Sequence, residues 1–214
     1  QTDSIDQYAR EISSAFAKEA AKLEKKVLAG IKSHGNAETK ADPLSFNFAS
    51  VLAGFLGATK KAYNSLITWS INSALASVES TVEEFGSTNF EQLMKQGADL
   101  SASQITESVG TIRDELQQLV IKNANATPEE LAKAITHQFS VIKTSRAKLI
   151  GETTATSVNG STLTGTWKKR NEQIQDPKKK IVSVWITDLG RGNNRPAHLA
   201  LNRTIPNRSE EHTS

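Results

Sequence analysis

Apolar residues near the start of the chain recur at three- and four-residue steps. Ile5, Tyr8, Ile12, Phe16, Leu23, Val27, Leu28 and Ile31 follow this rule with few exceptions. That spacing lines one face of an α-helix, so it predicts a helix over residues 3–33 with the intervening Lys and Glu on a solvated face. His34, Gly35 and Asn36 supply a stop, and residues 37–43 read as a polar connection.

A second helix is predicted over residues 46–77, with a break at Gly54 or Gly57; Tyr63, Leu66, Ile67, Ile71 and Leu75 share one side of its latter half. A further helical stretch leads to Phe85, and residues 89–96 suit a short helix, with Gly86-Ser87-Thr88 separating the two. Residues 103–122 carry the cleanest stripe: Ile105, Val109, Ile112, Leu116, Leu119 and Val120 form a narrow seam of the kind that packs in a bundle.

The next helix announces its own start. Thr127 suits the N-cap, Pro128 the first turn, and Glu130 can close a capping box onto the Thr127 amide. Leu131, Ile135 and Phe139 then line the buried side, and a further helix is predicted over residues 144–170.

The period changes after Asp176-Pro177. In residues 181–187, Val182, Val184 and Ile186 alternate with Ser183, Trp185 and Thr187, a strand pattern. Residues 188–194 read as a Gly/Asn loop and 195–201 as a short helix. The expected fold is mainly α: a long helical region followed by a small, truncated α+β unit. The domain reading is 1–140 for the helical region, 141–207 for a helix plus the α+β unit, and 208–214 for a tail outside the fold. That tail, RSEEHTS, matches the translation of a common sequencing adapter, and Gln1 in place of methionine suggests that the start is also missing.

Composition narrows the choices. A net charge of +3 is a weak bias toward anionic partners. The absence of cysteine excludes disulfides and thiolate metal sites from this sequence. The most apolar run, residues 46–58, falls short of the roughly 20 residues that a membrane span needs, and no signal segment stands at the front. These features suit a soluble protein made in the cytoplasm, with no membrane partner. No P-loop, nucleophile elbow or metal-spaced cluster appears, so neither a cofactor nor a metal is expected.

Residues 146–202 add a further pattern. Arg146-Ala147 opens a helix, Glu152-Thr153-Thr154 and Asn159 follow on it, Trp185 and Thr187 sit on the predicted strand, and Arg195-Pro196, His198 and Leu201-Asn202 close the run. In order and spacing these elements resemble the phage head-morphogenesis family typified by the minor head protein F of phage Mu. Asp188 stands farther from the Arg-Pro step than is usual there, and Arg203 occupies a position where relatives commonly carry glycine. The resemblance implies a minor capsid protein of the virion head, made in the host bacterial cytoplasm. It would work in procapsid assembly near the portal, with portal, scaffold or coat proteins as partners and a structural rather than enzymatic role.

It also implies that Arg146, Glu152, Asn159, Trp185, Asp188, Arg195 and His198 form a polar network docking the helix onto the α+β unit, because buried polar groups are costly unless mutually satisfied. Glu152 and Asn159, seven residues apart, are expected to share a helix face. The competing readings are two. One is an enzyme, transferase- or nuclease-like and completed by a missing C-terminal domain, with His198 as base, Glu152 as acid and Arg195 binding an anion. The other is nonspecific contact with packaged DNA through Lys168, Lys169, Arg170, Lys178, Lys179 and Lys180. His34 and His137 read as solvated.

Overall fold

A computed structural model of the protein describes residues 2–34, 47–176 and 180–181. The described residues form six α-helices: α1 (Thr2–His34), α2 (Phe48–Ala76), α3 (Val82–Phe85), α4 (Ser87–Lys122), α5 (Pro128–Val141) and α6 (Ala147–Gln173). A π-helical turn, Ile142–Arg146, joins the last two. The fold is mainly α, and there is no strand among the described residues. The predicted strand over 181–187, the loop over 188–194 and the short helix over 195–201 lie outside the described residues, apart from Ile181.

Four long helices build the bundle. Glu24 of α1 pairs with Lys143 while Ala9 meets Gly151, so α1 and α6 run antiparallel. Glu115 pairs with Arg146 while Gln92 meets Lys169, so α4 also runs against α6. Phe55 packs at a tilt against Phe16 and Trp69 against Tyr8, which makes α2 antiparallel to α1. The order is therefore up, down, up, down. Both α1 and α4 pack on α2 and on α6, and occupy opposite corners.

Two clusters fill the interior. At the end where α5 enters, Phe16, Phe55, Ile105, Ile112, Leu116, Ile135, Phe139 and Ile142 come together. At the other end, Ile12, Tyr63, Leu66, Ile67, Ile71, Leu75, Phe85 and Leu93 do so with Ala155 and Val158 of α6. Nearly every member is removed from water, and each large side chain so buried contributes about 1.5–3 kcal/mol.

Several boundaries differ from the sequence expectation. Helix α2 runs through Gly54 and Gly57 without a break, because the bundle supplies packing that outweighs the roughly 1 kcal/mol cost of a helical glycine. The short helix over 89–96 and the striped one over 103–122 are one helix, α4. Residues 97–102 carry no helix breaker beyond Gly97, and that glycine is buried against Ile67 while its carbonyl accepts the Ser101 hydroxyl. The helix expected to start at 144 is continuous with α5 through the π turn. The separator at Gly86 holds: its φ of 87° is left-handed, a conformation cheap only for glycine. The cap at Thr127 also holds, with Glu130 N–H donating to the Thr127 hydroxyl at 3.2 Å and the Thr127 N–H donating to the Glu130 carboxylate at 2.8 Å.

The chain divides into two compact units, Gln1–Gln173 and Ile174–Ser214. Among the described residues, no helix is long and apolar enough to cross a membrane.

Candidate functional site

The residues that carry the family resemblance begin at the π turn. A π turn closes i→i+5 hydrogen bonds, widening the helix by one residue and redirecting the turns after it. Here the turn is tethered on two sides. Lys143 Nζ reaches Glu24 Oε2 of α1 at 2.6 Å. Arg146 grips Glu115 of α4 with both arms of its guanidinium, at 2.5 and 2.7 Å, and Gln138 of α5 donates to the same carboxylate at 2.9 Å. The planar fork matches a carboxylate in a way a lysine cannot. Both side chains are about a third exposed, so the fork fixes the register of the helices more than it stabilises them.

One turn beyond, Gly151 lets α6 approach α1. A Cβ there would fall on the Ala9 carbonyl oxygen and crowd Ser13. Thr154, Asn159, Thr162 and Thr166 then continue the buried side of α6. Asn159 meets Ser70 of α2, with the hydroxyl 2.8 Å from its amide group and 2.8 Å from the Leu66 carbonyl. A hydroxyl has one proton. Ser70 donates to the Asn159 amide oxygen Oδ1 or to the Leu66 carbonyl oxygen, both within its reach. Thr166 donates to the Thr162 carbonyl at 2.8 Å, whereas the Thr162 hydroxyl is buried without a hydrogen-bond partner among the described residues.

Glu152 does not join this group. It is exposed and pairs with Lys148 on its own helix at 3.8 Å. Asn159 is buried, so the two residues differ in exposure although their spacing keeps them close around the helix. Seven residues fall about 20° short of two full turns. That drift turns the positions 152, 159 and 166 stepwise toward the buried side: Glu152 is exposed, Asn159 is buried and Thr166 is fully buried. Arg146 and Asn159 are not neighbours either: they serve opposite ends of the bundle. Trp185, Asp188, Arg195 and His198 lie outside the described residues, so the second half of the expected network does too.

The cations at the end of α6 divide. Lys169 donates to Gln92 at 2.6 Å, and Arg170 pairs with Glu84 at 3.2 Å. Both are thus engaged by neighbouring helices. Lys168 and Lys180 are exposed, while Lys178 and Lys179 lie outside the described residues. Trp167 donates its indole N–H toward the Ala74 carbonyl and the Ser77 hydroxyl, and Gln173 donates to the Phe85 carbonyl at 2.9 Å. The last turns of α6 are a clasp.

Little in the described residues suits acid–base chemistry. Burial raises the Tyr63 phenol. Glu83 and Glu130 are lowered by hydrogen bonds at helix starts, which is capping. His137 is exposed, and no group of three or more His, Cys, Asp or Glu among the described residues could hold a metal. A groove of about 820 Å³ runs along the outer face of α1, lined by Arg10, Ser14, Ala15, Lys18, Lys22 and Ala58 among others. Sequence reading assigned the lysines among these positions to a solvated face. Comparison of the chain with family models, with curated proteins and with solved structures found no match.

Proposed function

We propose that this chain is a structural component of a phage head, a minor capsid protein that joins the procapsid near the portal. The helical bundle supplies packing surfaces for portal, scaffold or coat proteins, and the segment beyond Ile174 is a small docking module. The observation that carries this reading is the ordered run of residues 146–202 resembling the head-morphogenesis family. The roles of the described members of that run support it: Arg146 and Asn159 are spent on holding helices together. An acid–base role for Glu152 gains no such support, because its near partner is a surface lysine.

The test is made on particles. Procapsids from a phage encoding this chain, purified away from tails, should contain it in low, fixed stoichiometry by quantitative mass spectrometry. Disruption of its gene should yield aberrant or empty heads. Its absence from procapsids of a fully infectious lysate would defeat the proposal. A transferase or nuclease activity lost on His198→Ala, with assembly intact, would replace it with the enzymatic reading.

A further inference from the structure

The outer faces of the bundle carry opposite charge. On α1, Arg10, Lys18 and Lys25 are exposed, joined by Lys22 and Lys26 and by Lys60 and Lys61 of α2. Helix α2 contains no acidic residue at all. At the opposite corner, α4 exposes Glu91, Asp99, Glu107 and Asp114 against Lys95, Arg113 and Lys122. Arg113 is turned onto the Phe48 ring and pairs with its own neighbour Asp114, and the remaining Glu91, Asp99 and Glu107 outnumber Lys95 and Lys122, so the row is net acidic.

The two rows also share a ruler. Arg10, Lys18 and Lys25 follow at steps of eight and seven residues, and Asp99, Glu107 and Asp114 repeat those same steps. At about 1.5 Å per residue each row spans about 22 Å, and equal steps give equal angular offsets around the helix. Both helices run antiparallel to α6, so the rows point the same way along the bundle.

The α1 row borders the groove, where Ala15 and Ala58 are small enough to admit another helix closely. Glu11 and Glu19 lie in the same groove, and Glu19 holds Lys22 at 2.5 Å. Carboxylates at those places repel phosphate but can find cationic partners, such as Lys95, on a protein surface. The features therefore fit an acidic helix better than a nucleic-acid backbone.

We propose that copies of this chain associate front to back, the cationic α1 face of one copy seating on the acidic α4 face of the next. Opposite faces engage, so the contact is heterologous and builds rings or open rows rather than two-fold dimers. The inference does not rest on the phage-head reading.

Sedimentation velocity of the full chain over a concentration series tests it. Association should appear at low salt and weaken about tenfold or more near 1 M salt, where the screening length is about 3 Å. Two reversals, Lys18→Glu/Lys25→Glu and Glu107→Lys/Asp114→Lys, should each weaken association about tenfold or more on its own. An equimolar mixture should restore it, because each reversed face then meets its complement. Circular dichroism checks that both variants stay helical. A parent chain monomeric at every concentration, reversals that associate like the parent, or a mixture that stays dissociated would each overturn the proposal. Binding of a duplex oligonucleotide by a monomeric parent, lost in Lys18→Glu/Lys25→Glu, would overturn it in favour of a phosphate-binding face.

Discussion

At the end of the bundle where α5 enters, the helices meet through Phe16, Phe55, Phe139, Ile105, Ile112 and Leu116. Toward the other end, α6 offers its neighbours Thr154, Ala155, Asn159, Thr162 and Thr166. The first contact gains free energy from apolar area and dispersion, which tolerate small shifts so long as volume is kept. The second depends on short side chains at close range and on hydrogen bonds such as Ser70–Asn159, which demand a fixed geometry. Both ends bury apolar clusters, but the first carries no polar seam and is expected to open last, whereas the second also fixes where α6 lies.

Substitutions can break that contrast, and the largest effect belongs to the aromatic end. Phe16 is fully buried and packs on the Phe55 ring at 4.6 Å. Phe16→Ala should cost about 3–5 kcal/mol in urea unfolding. A cost under about 1 kcal/mol would mean that this cluster does not dominate stability. Next comes Gly151→Ala, where the added methyl meets α1 backbone that cannot step aside. A loss of about 1–3 kcal/mol is expected, and an unchanged midpoint would show that α1 and α6 pack less closely than described.

A subtler change probes the polar seam. Ser70→Ala strands the Asn159 amide in the interior and should cost about 1–2 kcal/mol. Adding Asn159→Leu should recover part of that loss, because both partners are then apolar. If the double variant is worse than the sum of the singles, the seam does more than satisfy its own polarity.

The smallest effect lies at the start of α5. Thr127→Ala removes the N-cap and should cost about 1 kcal/mol. The Thr127 N–H and then its hydroxyl hold Glu130 below its ordinary pKa of 4.5. A depressed carboxylate stabilises the fold above its unfolded pKa, and that stabilisation is lost as pH falls through the folded value. Melting monitored from pH 7 down to pH 3 should therefore show less acid sensitivity in Thr127→Ala than in the parent. Equal sensitivity would place the acid-labile groups elsewhere.

These two ends were also unequally legible in the sequence. Where packing is apolar, the three- and four-residue steps named the buried side chains correctly: Ile105, Val109, Ile112 and Leu116 on α4, Ile135 and Phe139 on α5. The capping box declared the α5 start because its hydrogen bonds are local. The joining of residues 89–96 to 103–122 was hidden, since glycine and serine at 97 and 101 look like a linker until Ile67 is placed against Gly97. The π turn gave no signal in the sequence, and the partners of its Lys143 and Arg146 are distant in the chain, Glu24 and Glu115. The polar seam of α6 was partly visible. The family-like pattern singled out Asn159, but heptad reasoning paired it with Glu152, which points to water.

Hydrogen exchange by mass spectrometry on the intact chain tests the contrast between the two ends most directly. Amides around Phe16, Leu116 and Phe139 should exchange only through global unfolding. Amides from Thr154 to Trp167 should exchange earlier, through an opening that leaves the aromatic end closed. Equal protection along both segments, or earlier exchange at the aromatic end, would contradict the assignment of stability to one end and placement of α6 to the other.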